Sequence, residues 1–279
     1  MLRPALLYLS NNSLLREAST RFGLARQFAS RFVAGERLED AIAVSREFNA
    51  LGASAEIDYL GENVRSREQA EAAAAVYVRL LERIASERVD AQVSLKLTQM
   101  GLDVDGDLCE DNVRGLVKTA ADQNNFVWVD MEGSGYTDLT LDVYRRLRAE
   151  HSNVGVAIQA YLYRSERDVE DLLTIGGTVR LCKGAYMEPA SVAFPHKKDV
   201  DRNFLHLAEM LLCSHRLQAI ATHDERMVIQ VVQFAKANNI PPEQYEFQML
   251  YGVRRDLQHR LVREGSRLRV YVPYGSEWY

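Results

Sequence analysis

The sequence predicts an α/β fold, a single (β/α)8 barrel preceded by a helical arm. Three observations predict it. After Leu51-Gly52, short β-rich runs alternate with amphipathic helices eight times; no Gly-, Pro- or Ser-rich linker divides them; and 279 residues suit a barrel of about 250 with an added arm.

Taken in order, residues 12–51 carry apolar side chains at three- and four-residue spacing (Leu38, Ala41, Ile42, Ser45, Phe48) and no strand-like alternation. The arm is therefore placed at 1–53 and the barrel at 54–279, as one domain overall. Strands are expected at 55–59, 91–97, 126–131, 154–160, 178–182, 219–222, 245–249 and 267–272. Helices fill the intervals, the later ones at about 200–215, 225–238 and 250–263. Two of the helices open on capping boxes, Ser66 with Gln69 and Ser165 with Asp168.

Strand alternation then separates two faces. Val93, Leu95 and Leu97 share one parity, as do Val127, Val129 and Met131, and Val179 and Leu181; these faces suit helix packing. The opposite parity, toward the C-terminal strand ends, carries Asp58, Lys96, Asp130, Gln159, Arg180 and Thr222, all polar. A barrel interior is ordinarily filled by bulky aliphatic side chains, and an unpaired buried charge costs several kcal/mol. Either these residues form a salt-bridge network that only closes the barrel mouth, or they form a site at the end of the fold where sites belong.

Composition narrows the class. A net charge of −5 with 26% charged residues gives no reason to expect nucleic acid. Three separated cysteines, Cys109, Cys182 and Cys213, suggest neither a disulfide framework nor a zinc site and fit a reducing cytoplasm. The apolar run Pro4 to Leu9 is too short for a secretory signal, and no window reaches the roughly 18 apolar residues of a membrane span. The expected location is cytoplasmic, with any membrane contact peripheral.

The common dinucleotide, P-loop, hydrolase-elbow and zincin motifs are absent. Asp103-Val104-Asp105-Gly106-Asp107 lacks the spacing of a calcium loop and reads as a solvated turn, and no metal is expected. Gly133-Ser134-Gly135 reads as a flexible turn, and Asp224 as a helix N-cap. Lys96 and Lys183 each admit a Schiff-base aldolase, with Lys96 preferred because Lys183 falls on the helix-facing parity or in a loop.

One stretch organises the rest: Val179-Arg180-Leu181-Cys182-Lys183-Gly184-Ala185-Tyr186, a buried strand that sends an arginine inward and stops in a lysine-glycine turn. With Asp58 to Glu62, Ser94 to Leu97, Asp130 to Glu132, Gln159 to Tyr161, Ala221 to His223, Glu246 to Gln248 and Arg269 to Tyr271, in that order, it resembles the proline dehydrogenase family. The resemblance implies a distorted (β/α)8 TIM barrel that oxidises L-proline to 1-pyrroline-5-carboxylate by hydride transfer to FAD. Electrons would pass to a membrane quinone.

By the same resemblance Arg180 stands beside the reactive flavin nitrogen and Asp130 matches the active-site aspartate. Met131, Gln159, Lys183, Gly184, Ala185, Thr222 and His223 match positions that hold FAD. Lys96 would meet the proline carboxylate, with Leu181, Tyr186 and Tyr271 walling the ring. The family's final helix, with its Tyr-x-x-Arg-Arg carboxylate clamp, does not occur before Tyr279. Asp58 and Glu62 resemble the acids that meet those arginines and are therefore expected to lack partners, and proline is expected to bind weakly. The alternatives are a Lys96 aldolase and a catalytically impaired FAD-binding barrel.

Overall fold

Strands β1 (Ser54–Tyr59), β2 (Ala91–Leu95), β3 (Val127–Val129), β4 (Val154–Gln159), β5 (Val179–Cys182), β6 (Gln218–Ala221), β7 (Tyr245–Leu250) and β8 (Leu268–Tyr274) pair in chain order, and β8 pairs back onto β1. All eight pairings are parallel. This closed barrel belongs to a computed structural model that describes residues 31–61 and 64–277. The arm before residue 31, and Glu62, lie outside the described residues.

The helices are α1 (Leu38–Ala50), α2 (Arg67–Ser86), α3 (Gly106–Asp122), α4 (Thr137–Glu150), α5 (Ser165–Thr174), α6 (Lys197–Leu212), α7 (Glu225–Ala237) and α8 (Arg255–Arg263). All but α1 follow a strand. α1 buries Ala41, Ile42, Val44, Ser45 and Phe48 and packs on β1 and β8, covering the seam where the barrel closes. Backbone bonds from Ala34 to Pro273 and from Gly275 to Gly35 pin the arm to the end of β8.

The predicted aliphatic faces are in the core. Val93, Leu95, Leu97, Val127, Val129, Val179 and Leu181 are all fully buried and belong to one hydrophobic cluster. β4 is buried along its whole length, as expected of a strand covered on both faces. Gly155 on β4 stands in register with Trp128, and a Cβ there would come within 2.6 Å of the indole. Glycine at 155 thus leaves room for an interior tryptophan.

The ladder stops short of several predicted strand ends, so Lys96 lies one residue beyond β2 and Asp130 one beyond β3. Helix α8 begins at Arg255 rather than 250 because β7 runs to Leu250 and a turn through Gly252, at φ +75°, intervenes. The cap at Ser66 forms, its side chain accepting from the Gln69 amide at 3.3 Å; Gln69 reaches the Arg65 amide rather than that of Ser66.

The expected box at Ser165 does not form. Ser165 is the first helical residue, and its hydroxyl donates to the Gln159 carbonyl at 2.6 Å, while Asp168 accepts from Arg164 at 2.7 Å. A nearby strand-end carbonyl outcompeted the local backbone amide.

Candidate active site

Arg180 reaches the centre of the interior because its neighbours in register are small. Ala157 on β4 and Ala219 on β6 flank it, and both are buried. One end of its guanidinium pairs with Glu56 and bonds Gln248 Oε1 at 3.3 Å; the other pairs with Asp130 and bonds Ser94 Oγ at 3.0 Å. Its planar head lies over the Trp128 ring, 5.1 Å from the centroid, and beside Tyr271 at 5.6 Å. Six side chains thus hold one cation in one pose.

Asp130 gathers the rest of the ring. It accepts from Ser94 at 2.9 Å and from the Tyr271 hydroxyl at 2.8 Å, and lies 3.7 Å from Lys96 Nζ. Burial pulls its carboxyl upward, yet Arg180 and Lys96 outweigh that and hold it below the ordinary carboxylate range. Burial raises the Tyr271 phenol well above its ordinary value, and Asp130 adds to the effect. Tyr271 is therefore a neutral donor at pH 7.

The expectation that Asp58 lacks a partner is overturned. Its carboxylate is nearly fully buried, 3.3 Å from Lys96 Nζ and 3.3 Å from the Tyr77 hydroxyl. The adjacent strand end supplies the lysine that satisfies it. Lys96 thereby sits between two carboxylates as an ammonium partner, a setting opposed to the neutral amine that a Schiff-base nucleophile requires.

The other predicted positions described, Leu181 apart, lie around the same mouth. Gln159 is buried and donates to the Met131 carbonyl at 3.3 Å, while its Oε1 meets no donor. Gly184 has φ +104°, and a Cβ there would overlap the Tyr161 ring, so the chain passes close against that ring. Lys183 pairs with Asp201 at 2.6 Å and Asp224 at 3.1 Å, the latter also capping α7 through the Arg226 amide. Ala185 is exposed and Tyr186 half-buried in the loop that follows β5.

Thr222 does not share the inward parity expected of it: Ala219 stands in register with Arg180, so Thr222 falls on the face of core Ile220, buried and accepting from the Asp224 amide at 3.2 Å. His223 Nε2 accepts the Leu250 amide at 2.8 Å, and burial, aided by the Arg254 charge, lowers its pKa to about 4. It is neutral at pH 7.

Leu181 is not brought to the mouth: it is 0% exposed and sits in the core cluster with Val179, on the side of β5 opposite Arg180. The 133–135 turn is not loose either. Ser134–Tyr136 forms a 3-10 turn whose first amide donates to Glu188 at 2.6 Å, joining the loops after β3 and β5.

Sequence reasoning missed Glu56, Ser94, Trp128, Glu246, Gln248 and Arg269 as interior residues. The signal was present in each case, because every one shares parity with an interior residue two places away or flanks one in register. Arg269 donates to Glu246 at 2.8 Å and to the Ala55 carbonyl at 2.9 Å, forming a second buried pair below Arg180. Parity alone does not show how deep the polar set extends.

A family model described as proline dehydrogenase matches residues 41–277, and over its full length the chain is 39% identical to proline dehydrogenase 1 of Bacillus subtilis subsp. natto, spanning 92% of that protein. The chain belongs to the proline dehydrogenase family. It is also 40% identical over 265 residues to the proline dehydrogenase of Deinococcus radiodurans, covering 92% of this chain and 86% of that one. Among solved structures, proline utilization A of Bdellovibrio bacteriovorus, inactivated by N-propargylglycine, superposes with a TM-score of 0.84 at 27% identity over 90% of this chain. The chain spans 31% of that longer protein.

Proposed function

We propose that the protein oxidises L-proline to 1-pyrroline-5-carboxylate, the first step of proline catabolism, using FAD and passing the electrons to a membrane quinone. Family membership supports proline as substrate. The observation that carries the chemistry is the fixed interior cation, Arg180, clamped by Glu56, Asp130, Ser94 and Gln248 at the C-terminal mouth.

The chain's residues fit FAD. Gln159 offers a buried acceptor with no donor, and Gly184, at φ +104°, lets the loop after β5 turn tightly against Tyr161 beside it. Met131, Gln159, Lys183, Gly184, Ala185, Thr222 and His223 would hold the cofactor, which supplies a two-electron acceptor. Oxidising the amine to the imine removes a hydride from ring carbon and a proton from nitrogen.

Arg180 would offer the bound cofactor a fixed positive charge that needs no reorganisation as the cofactor takes up electrons. Lys96 is the point charge that faces the proline carboxylate, and Asp130 orients both cations and Tyr271. Tyr186 and Tyr271 flank the ring, and the amine proton passes to water, because the two cations that hold Asp130 below the ordinary carboxylate range make it a weak base. Among the described residues no helix is long and apolar enough to cross a membrane. Reduction of a membrane quinone would therefore occur through peripheral contact by these residues.

A visible spectrum tests the reading. A yellow protein with oxidised-flavin bands that bleach on adding proline is the expected result. A protein that stays colourless after incubation with FAD would overturn it.

A further inference from the structure

Among the described residues, the interior around Arg180 holds four acids, Glu56, Asp58, Asp130 and Glu246, against three cations, Lys96, Arg180 and Arg269. Three of the acids are well satisfied. Glu246 accepts twice from Arg269 and once from Gln248; Asp130 meets Arg180, Ser94, Tyr271 and Lys96; Asp58 meets Lys96 and Tyr77.

Glu56 differs. It is 0% exposed, its Oε1 pairs with Arg180, and its Oε2 has no hydrogen-bond partner. A buried carboxylate oxygen without a donor is costly, and a proton on it is the simplest relief. With all ionised, these seven described groups carry one negative charge in excess; a proton on Glu56 makes the set neutral.

We propose that Glu56 positions Arg180 and carries a dissociable proton on Oε2, and that this proton sets how readily the barrel mouth accepts an anionic ligand. The inference rests on the reading above that a carboxylate ligand sits at Lys96. The step is proton uptake from solvent: an O–H bond forms at Oε2, the glutamate becomes neutral, and no electron moves. The groups that act on Glu56 are Asp130 beyond β3, Arg180 on β5 and Arg269 with Tyr271 on β8, and Lys96 beyond β2, Glu246 on β7 and Asp58 on its own strand belong to the same buried set.

Burial, only partly offset by Arg180, pushes the Glu56 carboxyl up to about 6, so the proton exchanges in an accessible range. Linkage sets the direction. An added carboxylate at the mouth disfavours ionised Glu56, so ligand affinity must rise as pH falls through about 6. The change is about tenfold for each unit by which the ligand raises the Glu56 pKa. Glu56→Gln mimics the protonated form and should bind at the wild-type acid limit at every pH.

The test uses the FAD-loaded protein and tetrahydrofuran-2-carboxylate, which keeps ring and carboxylate but has no amine to titrate. Calorimetric affinity is measured on both sides of pH about 6 in wild type and Glu56→Gln. A second readout needs no ligand: the infrared difference between the two proteins should show a protonated carboxyl band that grows as pH falls through about 6.

A flat wild-type affinity profile overturns the proposal, even where the variant does not fold. So does a slope that survives in Glu56→Gln, or the absence of the infrared band. Failure of the carboxylate to bind at any pH defeats the functional reading and the ligand linkage, while the infrared band still decides whether Glu56 holds the proton.

Discussion

The Arg180 guanidinium, on β5, and the Asp130 carboxylate, one residue beyond β3, form an ion pair across the barrel interior, with Ser94 bonded to both. The pair joins strands that are not neighbours. It holds a cation at the mouth while Tyr271 and Lys96 approach the same carboxylate from β8 and from the end of β2.

Arg180→Met removes the counter-ion of two buried acids at once. Stability is expected to fall by about 3–5 kcal/mol, and flavin reduction by proline to slow about a hundredfold. Glu56→Gln added to Arg180→Met should recover part of the stability and none of the rate. Thermal melts and stopped-flow absorbance read the two effects separately; reduction at the wild-type rate would remove Arg180 from the chemistry.

Gly184→Ala places a Cβ against Tyr161 at a φ of +104°, which L side chains rarely adopt. The local cost is about 1–3 kcal/mol, and the deformation falls on the loop assigned to FAD. The purified variant should keep its far-ultraviolet circular dichroism and lose most of its flavin absorbance. Full flavin occupancy would show that this turn is not a cradle.

Lys96→Met is expected to raise the KM for proline by about ten- to a hundredfold, the loss of one charge-assisted contact, and to leave the spectrum of bound flavin unchanged. Steady-state kinetics across a wide proline range separate KM from kcat. An unchanged KM would place the substrate carboxylate elsewhere.

Two buried groups give opposite pH dependences of stability. His223 has its pKa depressed from 6.5 to about 4, so below 6.5 the unfolded chain binds the extra proton and stability falls until pH about 4. Glu56 is raised from 4.5 to about 6, so its favourable contribution is complete below 4.5 and is lost as pH rises through about 6. Urea midpoints of His223→Gln should lose the first slope, and those of Glu56→Gln the second. A wild-type slope retained in His223→Gln would refute the buried neutral imidazole.

Ser66→Ala serves as a control remote from the mouth. Losing the bond to the Gln69 amide should cost about 1 kcal/mol without altering flavin content or turnover. An activity change would show that α2 couples to the site.

Much of this was legible locally. Period-two alternation placed Arg180, Lys96, Asp130 and Asp58 on one face, and three- and four-residue spacing placed Ala41, Ile42, Ser45 and Phe48 on the buried side of α1. Ser66 capped as its spacing required, whereas Ser165 turned to a carbonyl that only the fold brings near.

The sequence by itself determined the barrel, its order of elements and the chemical types at the mouth, because periodicity and parity act within a few residues along the chain. The tertiary structure decided the pairing. Arg180 and Glu56 are 124 residues apart and meet because parallel pairing closes β8 onto β1 and two alanines flank the arginine. Closure likewise gave Asp58 its lysine and left one oxygen of Glu56 without a donor. Such outcomes depend on which strand ends face each other across the interior, a relation that no local spacing encodes.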